Sequence, residues 1–370
     1  MNYCKKCVMP DTRPGITFDN EGICSACRHA EAKEKIDWEK RKEEFQKLCD
    51  SYKRETPGEY DCIIAVSSGK DSYFQIHTIK EHGLNPLLVS VNNLDWTNTG
   101  KYNFKNMLDV FDCDCIVHKS STKLNRIISR LIFEHDGFIA WLFDRLIYTY
   151  PLHIATKFNI PLIFYGENIN VEYGGKYNKE TPLAHEQLKN DVVRDYEWEI
   201  FENTGITRDQ LVLAEPPKDS QLQKLDPRYL SYYFKWSGYE HMELAKQYGW
   251  KSLNDTGEWV REGYIEDYDQ IDDFAYCVDP WLKYPKYGHA RATDVASYWI
   301  REGRITREEG IQLVKENDHK LDTTALVNYL EFSDYSSSQF YRILDKFYNR
   351  EIFEETASGW KIKDPIWLQV

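Results

Sequence analysis

The chain has 370 residues, 42% of them hydrophobic, enough for two or three domains with a sizeable core. Lys and Arg total 47 against 60 Asp and Glu, a formal charge of −13, which argues against a protein whose main task is gripping a nucleic-acid backbone. No apolar run reaches the roughly 18 residues of a membrane span, and the start, Met1-Asn2-Tyr3-Cys4, lacks a signal-peptide core, so a cytoplasmic protein without a membrane span is expected.

Residues 1–29 carry Cys4, Cys7, Cys24 and Cys27 among Pro10, Pro14, Gly15 and Gly22, with few aliphatic side chains. Two Cys-x-x-Cys knuckles joined by a loop can place four thiolates tetrahedrally around one ion. A site closed by four sulfurs is structural, because it leaves no open position for water and supplies folding free energy that so small a segment cannot gain by burial. Zinc is the expected ion, and an iron–sulfur cluster is the rival. The odd total of nine cysteines, with this pairing, fits a reducing compartment rather than a disulfide framework. Cys49, Cys62, Cys113, Cys115 and Cys277 read as ordinary or buried residues.

Residues 30–58 are rich in Glu, Lys and Arg, with Ile36, Trp38, Phe45 and Leu48 at intervals; they predict an amphipathic linker helix that ends before Thr56-Pro57-Gly58. Between 59 and 180 strand and helix signals alternate. Apolar runs at 62–66, 86–91, 115–117 and 160–165 predict strands, and the stretches 73–82, 103–111 and 141–158 predict helices. Strands separated by helices imply an α/β unit, a Rossmann-like parallel sheet with flanking helices. From 181 to 370 the strand signal fades, and a mainly helical C-terminal region is expected to cover the open end of the sheet, with helices at 240–248, 307–317 and 336–348.

Three segments carry chemistry. Ser67-Ser68-Gly69-Lys70-Asp71-Ser72 follows the first strand and opens a helix, so backbone N–H groups, hydroxyls and the positive end of a helix dipole converge on one spot suited to pyrophosphate. It is not a Walker loop, which needs Gly at the place of Ile64 and a hydroxyl residue at that of Asp71. Gly166-Glu167-Asn168, continuing to Glu172-Tyr173-Gly174-Gly175, follows another apolar strand; loops beyond the carboxyl ends of parallel strands can share one crevice. The run from Trp281 to Asp294 gathers Lys283, Lys286, His289 and Arg291 with aromatics in an otherwise acidic chain, a cluster able to neutralise a pyrophosphate or a nucleotide-linked substrate.

The 67–72 loop resembles the Ser-Gly-Gly-x-Asp-Ser loop of the adenine nucleotide alpha-hydrolase-like (HUP-type, PP-loop) ATP pyrophosphatases, the group of asparagine, GMP and NAD synthetases. Ser68 stands where that loop has its first glycine. The four-cysteine knuckle, this loop, Val91-Asn92-Asn93-Leu94, the 166–175 segment, Tyr233-Phe234-Lys235-Trp236, the 283–294 run and Ile305-Thr306-Arg307-Glu308-Glu309-Gly310 together resemble the N-acetyl sugar amidotransferases of bacterial lipopolysaccharide O-antigen and related surface-glycan synthesis.

That resemblance implies conversion of a sugar N-acetyl group into an acetamidino group, with ATP cleaved to AMP and pyrophosphate. It implies ATP and Mg2+ held by Ser67, Ser68, Gly69, Lys70, Asp71, Ser72, Asn92, Asn93 and Gly166. Catalytic roles fall to Asp71, Lys70, Lys283, Lys286 and Glu167, and substrate contacts to Asn168, Glu172, Tyr173 and Arg291. Glu167 or Glu172 would position magnesium or the acceptor. No glutaminase arrangement is evident in the chain, so the resemblance also implies a separate glutaminase subunit, paired with a barrel subunit like that of imidazole glycerol phosphate synthase, to supply ammonia. The rivals are a tRNA-thiolating enzyme of the same group, which the acidic charge and the lack of a convincing persulfide cysteine count against, and a non-catalytic zinc-ribbon binding protein whose loop has decayed at Ser68.

Overall fold

A computed structural model describes residues 1–92, 96–175, 180–187 and 195–369. In chain order its first half comprises α1 (Ser25–Lys33), α2 (Trp38–Tyr52), β1 (Cys62–Val66), α3 (Lys70–Glu81), β2 (Pro86–Val91), α4 (Asn98–Phe111) and β3 (Cys115–His118). There follow α5 (Thr122–Asp136), α6 (Trp141–Phe158), β4 (Leu162–Tyr165), the short α7 (Ile169–Glu172) and β5 (Asp226–Tyr229). The five strands form one parallel sheet in the order β3-β2-β1-β4-β5.

The sheet is covered on both faces, which is why its inner strands are mostly apolar rather than alternating. Ile64 and Val66 of β1 pack with Tyr73, Ile76 and Ile79 of α3, while Ile63, on the other face, packs with Leu152 and Ala155 of α6. The linker expected as one helix is two: Asp37 accepts from the Lys40 amide and starts α2 afresh after a break at 34–37. Helix α5, capped by Ser121, was not among the predicted elements.

The sheet does not end where the strand signal fades. Its fifth strand, Asp226-Pro227-Arg228-Tyr229, pairs with β4 from beyond residue 180. Proline cannot donate to a ladder and is tolerated at an edge; on the outer side the Pro227 carbonyl accepts from the Ala184 amide at 2.8 Å. The remainder is mainly helical, with helices at Gly238–Gln247, Arg291–Arg301, Arg307–Asn317 and Ser337–Leu344, and ends in an antiparallel hairpin of β6 (Phe353–Thr356) and β7 (Gly359–Ile362). No helix among the described residues is long and apolar enough to cross a membrane.

Candidate active site

In this strand order the connections run in opposite directions from β1 and β4, and the crevice at their carboxyl ends is where open α/β sheets bind ligands. The chain places there a cavity of about 560 Å3 lined by the 67–72 loop, Gly166, Glu167 and Tyr173, and by Lys283, Lys286 and Arg291. Three segments far apart in sequence thus share one site.

The loop is held by its own hydroxyls. The Ser67 amide donates to Ser72 Oγ at 2.8 Å and the Gly69 amide to Ser67 Oγ at 3.1 Å. Helix α3 starts at Lys70, so its first N–H groups, which have no intrahelical partner, open on the cavity. Ser67, Gly69, Lys70, Asp71 and Ser72 line it; Ser68 does not. The Ser68 side chain turns into the protein, fully buried, and donates to Asp272 at 3.0 Å, while its carbonyl accepts from the Trp250 indole. Serine is accommodated in place of glycine because its φ is not positive and its hydroxyl anchors the loop from behind, which corrects the expectation that it contacts the nucleotide.

The loop carries a network of charges, buried at Lys70 and partly exposed at Asp71, Asp269 and Arg291. Lys70 Nζ, 3% exposed at the side chain, bonds Asp71 at 2.9 Å and also Asp269, and Asp269 accepts from Arg291 at 2.6 Å. Asp71 accepts from His241 Nδ1 at 2.7 Å. The positive charge of Lys70, with the His241 bond, holds the Asp71 carboxyl well below the usual carboxylate range despite its burial. Glu167, by contrast, is pushed up to about 7 by burial and by the nearby Asp71 charge. Asp71 and Glu167 are the carboxyl groups of this wall that could hold a hard divalent ion, Asp269 being paired with Lys70 and Arg291.

The second loop divides. Gly166 lies against Trp236, whose Cη2 would be 2.9 Å from an added Cβ. Asn168 is buried off the cavity, where its side chain caps the Asn170 amide and its own amide donates to Ser231. Glu172 turns away as well: its carboxylate pairs with Lys33 of α1, because the single turn of α7 carries it round to the opposite side. Neither occupies the substrate-contact place expected of it. Asn92 also is absent from the cavity wall; its amide bonds the His118 carbonyl at 2.7 Å beyond β2. Asn93 lies outside the described residues.

On the third wall Lys283 pairs with Asp294, which also binds Arg13, and Lys286 donates to the Gly137 carbonyl at 2.8 Å. Arg13 comes from the N-terminal knuckle and was not singled out from sequence, nor were His241 and Asp269. Only the acidic run at 267–273 offered a signal for Asp269.

The four cysteine sulfurs are buried and lie within 4.8 Å of one another, with Cys4–Cys27 at 3.9 Å and Cys7–Cys24 at 3.7 Å. A tetrahedral ion with metal–sulfur bonds of about 2.3 Å requires sulfur–sulfur edges of about 3.8 Å. The cage is therefore sized for one ion, and amides of Lys6, Cys7 and Cys24 point at Cys4 Sγ, offsetting thiolate charge. This module is part of the site's wall: Arg13 Nε donates to the Gly174 carbonyl at 3.2 Å, and Ile16 would meet any Cβ on Gly174 at 2.6 Å. None of the other five cysteines lines the cavity.

Fold and site together define an α/β protein with a parallel 3-2-1-4-5 sheet, a loop suited to phosphate at its switch point and a four-cysteine module. Residues 262–365, which carry Lys283, Lys286 and Arg291, match the family described as LPS biosynthesis protein WbpG-like, C-terminal domain. A stretch of 116 residues is 32% identical to Uncharacterized protein MJ1599 of Methanocaldococcus jannaschii, covering 31% of this chain and 41% of that protein, so the chain spans less than half the length of that relative. NMN synthetase from Francisella tularensis overlies 61% of this chain and 88% of its own with 10% identity and a TM-score of 0.28, a likeness too slight to carry an argument.

Proposed function

We propose that the chain is an ATP-dependent amidotransferase that converts the N-acetyl group of a nucleotide-linked sugar into an acetamidino group for lipopolysaccharide or a related surface glycan. The observation that carries this reading is the single cavity in which the 67–72 loop, Glu167 and the cation-bearing wall at 283–291 meet, that wall lying in the segment matched by a lipopolysaccharide-biosynthesis family. An amide carbonyl is a poor electrophile. Its oxygen attacks the α-phosphorus of ATP, pyrophosphate leaves, and ammonia then adds to the activated carbon, expelling AMP with the former amide oxygen. Ser67, Gly69 and Ser72 would hold the departing pyrophosphate, with Lys283 and Arg291 offsetting its charge. Asp71 and Glu167 would hold Mg2+, which supplies further charge neutralisation. Zinc in the four-cysteine cage would be structural.

Ammonium is protonated at neutral pH and not nucleophilic, so neutral ammonia has to be delivered; a glutaminase subunit with a barrel-type partner is the proposed source. The test is incubation with ATP, ammonium salt and candidate N-acetylated nucleotide sugars. The expected outcome is AMP and pyrophosphate together with a sugar lighter by the difference between O and NH. Formation of ADP, or stimulation by tRNA in place of sugar, would defeat the reading.

A further inference from the structure

The same cavity is lined by Phe143, Asp144, Tyr276 and Asp279, residues with no part assigned above in holding the nucleotide. Tyr148 lines the cavity as well and feels the charge of both Glu167 and Asp144. Asp144 stands in the first turn of α6, 2% exposed, and lines the cavity. Its Oδ1 accepts from the Tyr276 hydroxyl at 3.3 Å, and its Oδ2 has no hydrogen-bond partner. Asp279 lines the same wall, its Oδ1 accepting from the Ile139 amide at 2.8 Å. Burial raises both carboxyls, the Asp279 charge adding to the effect on Asp144, and Asp279 is pushed up to about 6. Phe143 and Tyr276 set aromatic rings edge to face on this wall, 5.7 Å apart.

A buried carboxyl oxygen without a partner is costly, and on a residue that lines a cavity a donor on a ligand can complete it. The chemistry of the wall narrows that ligand. Two carboxyls offer a phosphate no positive charge, and aromatic rings give nothing to a small hydrated ion. A pyranose suits both, because its rim presents O–H and amide N–H donors while its C–H faces pack on rings.

We propose that Asp144 and Asp279, with Phe143 and Tyr276, form the subsite for the acceptor's sugar ring, Asp144 Oδ2 accepting from an O–H or N–H of that ring's substituents. The proposal rests on the reading above in taking the acceptor to be an N-acetyl sugar, and it assigns the residues that select it. Ammonium, the other donor attracted to a carboxyl pair, is the competing occupant.

Titration calorimetry with UDP-N-acetylglucosamine on the full chain, saturated with a non-hydrolysable ATP analogue and Mg2+, tests it. Probe affinity is expected to fall about tenfold or more in Asp144→Ala and by a smaller factor in the near-isosteric Asp144→Asn and in Asp279→Asn. Thermal melts and affinity for the ATP analogue identify any variant that has lost its fold. Failure of the wild type to bind the probe at millimolar concentration, affinities within about twofold of wild type in folded variants, or a defect confined to the KM for ammonium would each overturn the subsite. Sugar binding that behaves as expected in a protein that makes no AMP defeats the amidotransferase reading and leaves the subsite standing; AMP formation with unaffected variants does the reverse.

Discussion

His241 donates from Nδ1 to Oδ1 of Asp71 at 2.7 Å, its ring stacked on Phe74 at 3.8 Å between centroids. The imidazole is 1% exposed, and burial holds it below its ordinary titration range, so it serves as a neutral donor that fixes the loop carboxylate without adding charge.

Replacing His241 with Leu removes a hydrogen bond to a charged carboxylate, an effect of about 1.5–3 kcal/mol, or roughly 10- to 100-fold. The expected outcome is a loss of that size in kcat/KM for ATP in His241→Leu, with substantial recovery in His241→Asn, whose amide can reach the same oxygen. Equal defects in the two variants would show that the ring's bulk matters rather than its donor.

Gly166 is pinned by Trp236. A Cβ there would sit 2.9 Å from Cη2 and 3.1 Å from Cζ2 of the indole, which is itself packed edge-on against Phe74 and His241. Gly166→Ala is expected to cost about 1–3 kcal/mol of stability by overpacking, to shift tryptophan fluorescence and to lower turnover of ATP by displacing His241. A variant with wild-type melting and emission would show that the indole yields freely.

Metal loss should reach the cavity, because the knuckle holds Arg13 against Gly174 and Asp294. Cys24→Ser is expected to abolish both the single bound zinc, measured by elemental analysis, and ATP cleavage. Arg13→Ala should retain the zinc while raising the KM for nucleotide or acceptor about tenfold, the loss of one cation. A metal-free chain with full activity would separate the knuckle from the site.

Much of this architecture was legible because burial on both faces leaves a clear mark: β1 and β4 are apolar throughout, and β2 is interrupted only by the buried Ser90. The 67–72 loop was legible from its place between strand and helix. The strand at Asp226–Tyr229 was not, since an Asp-Pro-Arg-Tyr sequence is not apolar on both faces and its pairing is settled by β4 on one side and residues 182–184 on the other. His241, Asp269 and Arg13 reach the site through tertiary contacts across 170 residues or more, and no local pattern announces such a meeting. Glu172 illustrates the converse: the family resemblance implies a place for it beside Glu167, and one helical turn sends it to Lys33 instead.

His289 provides a pH test whose sign follows from burial. It is 1% exposed with neither ring nitrogen hydrogen-bonded, and burial holds it down at about 3, the attraction of Asp294 being opposed by Lys283 and Arg13. The folded chain therefore keeps the ring neutral, whereas the unfolded chain protonates it below about 6.5. Across the window from 6.5 down to 3 the unfolded state binds the extra proton, so this contribution is present at neutral pH and lost as pH falls, at roughly 1 kcal/mol per pH unit. Glu167 acts in the opposite direction, its proton being retained by the folded chain up to about 7, so total stability blurs the two. The difference in unfolding free energy between wild type and His289→Phe isolates the histidine. It should be flat from about pH 7 to 8 and shift by roughly 1–2 kcal/mol against the wild type by about pH 5; a difference that stays constant over that range would mean that the ring is protonated inside the fold.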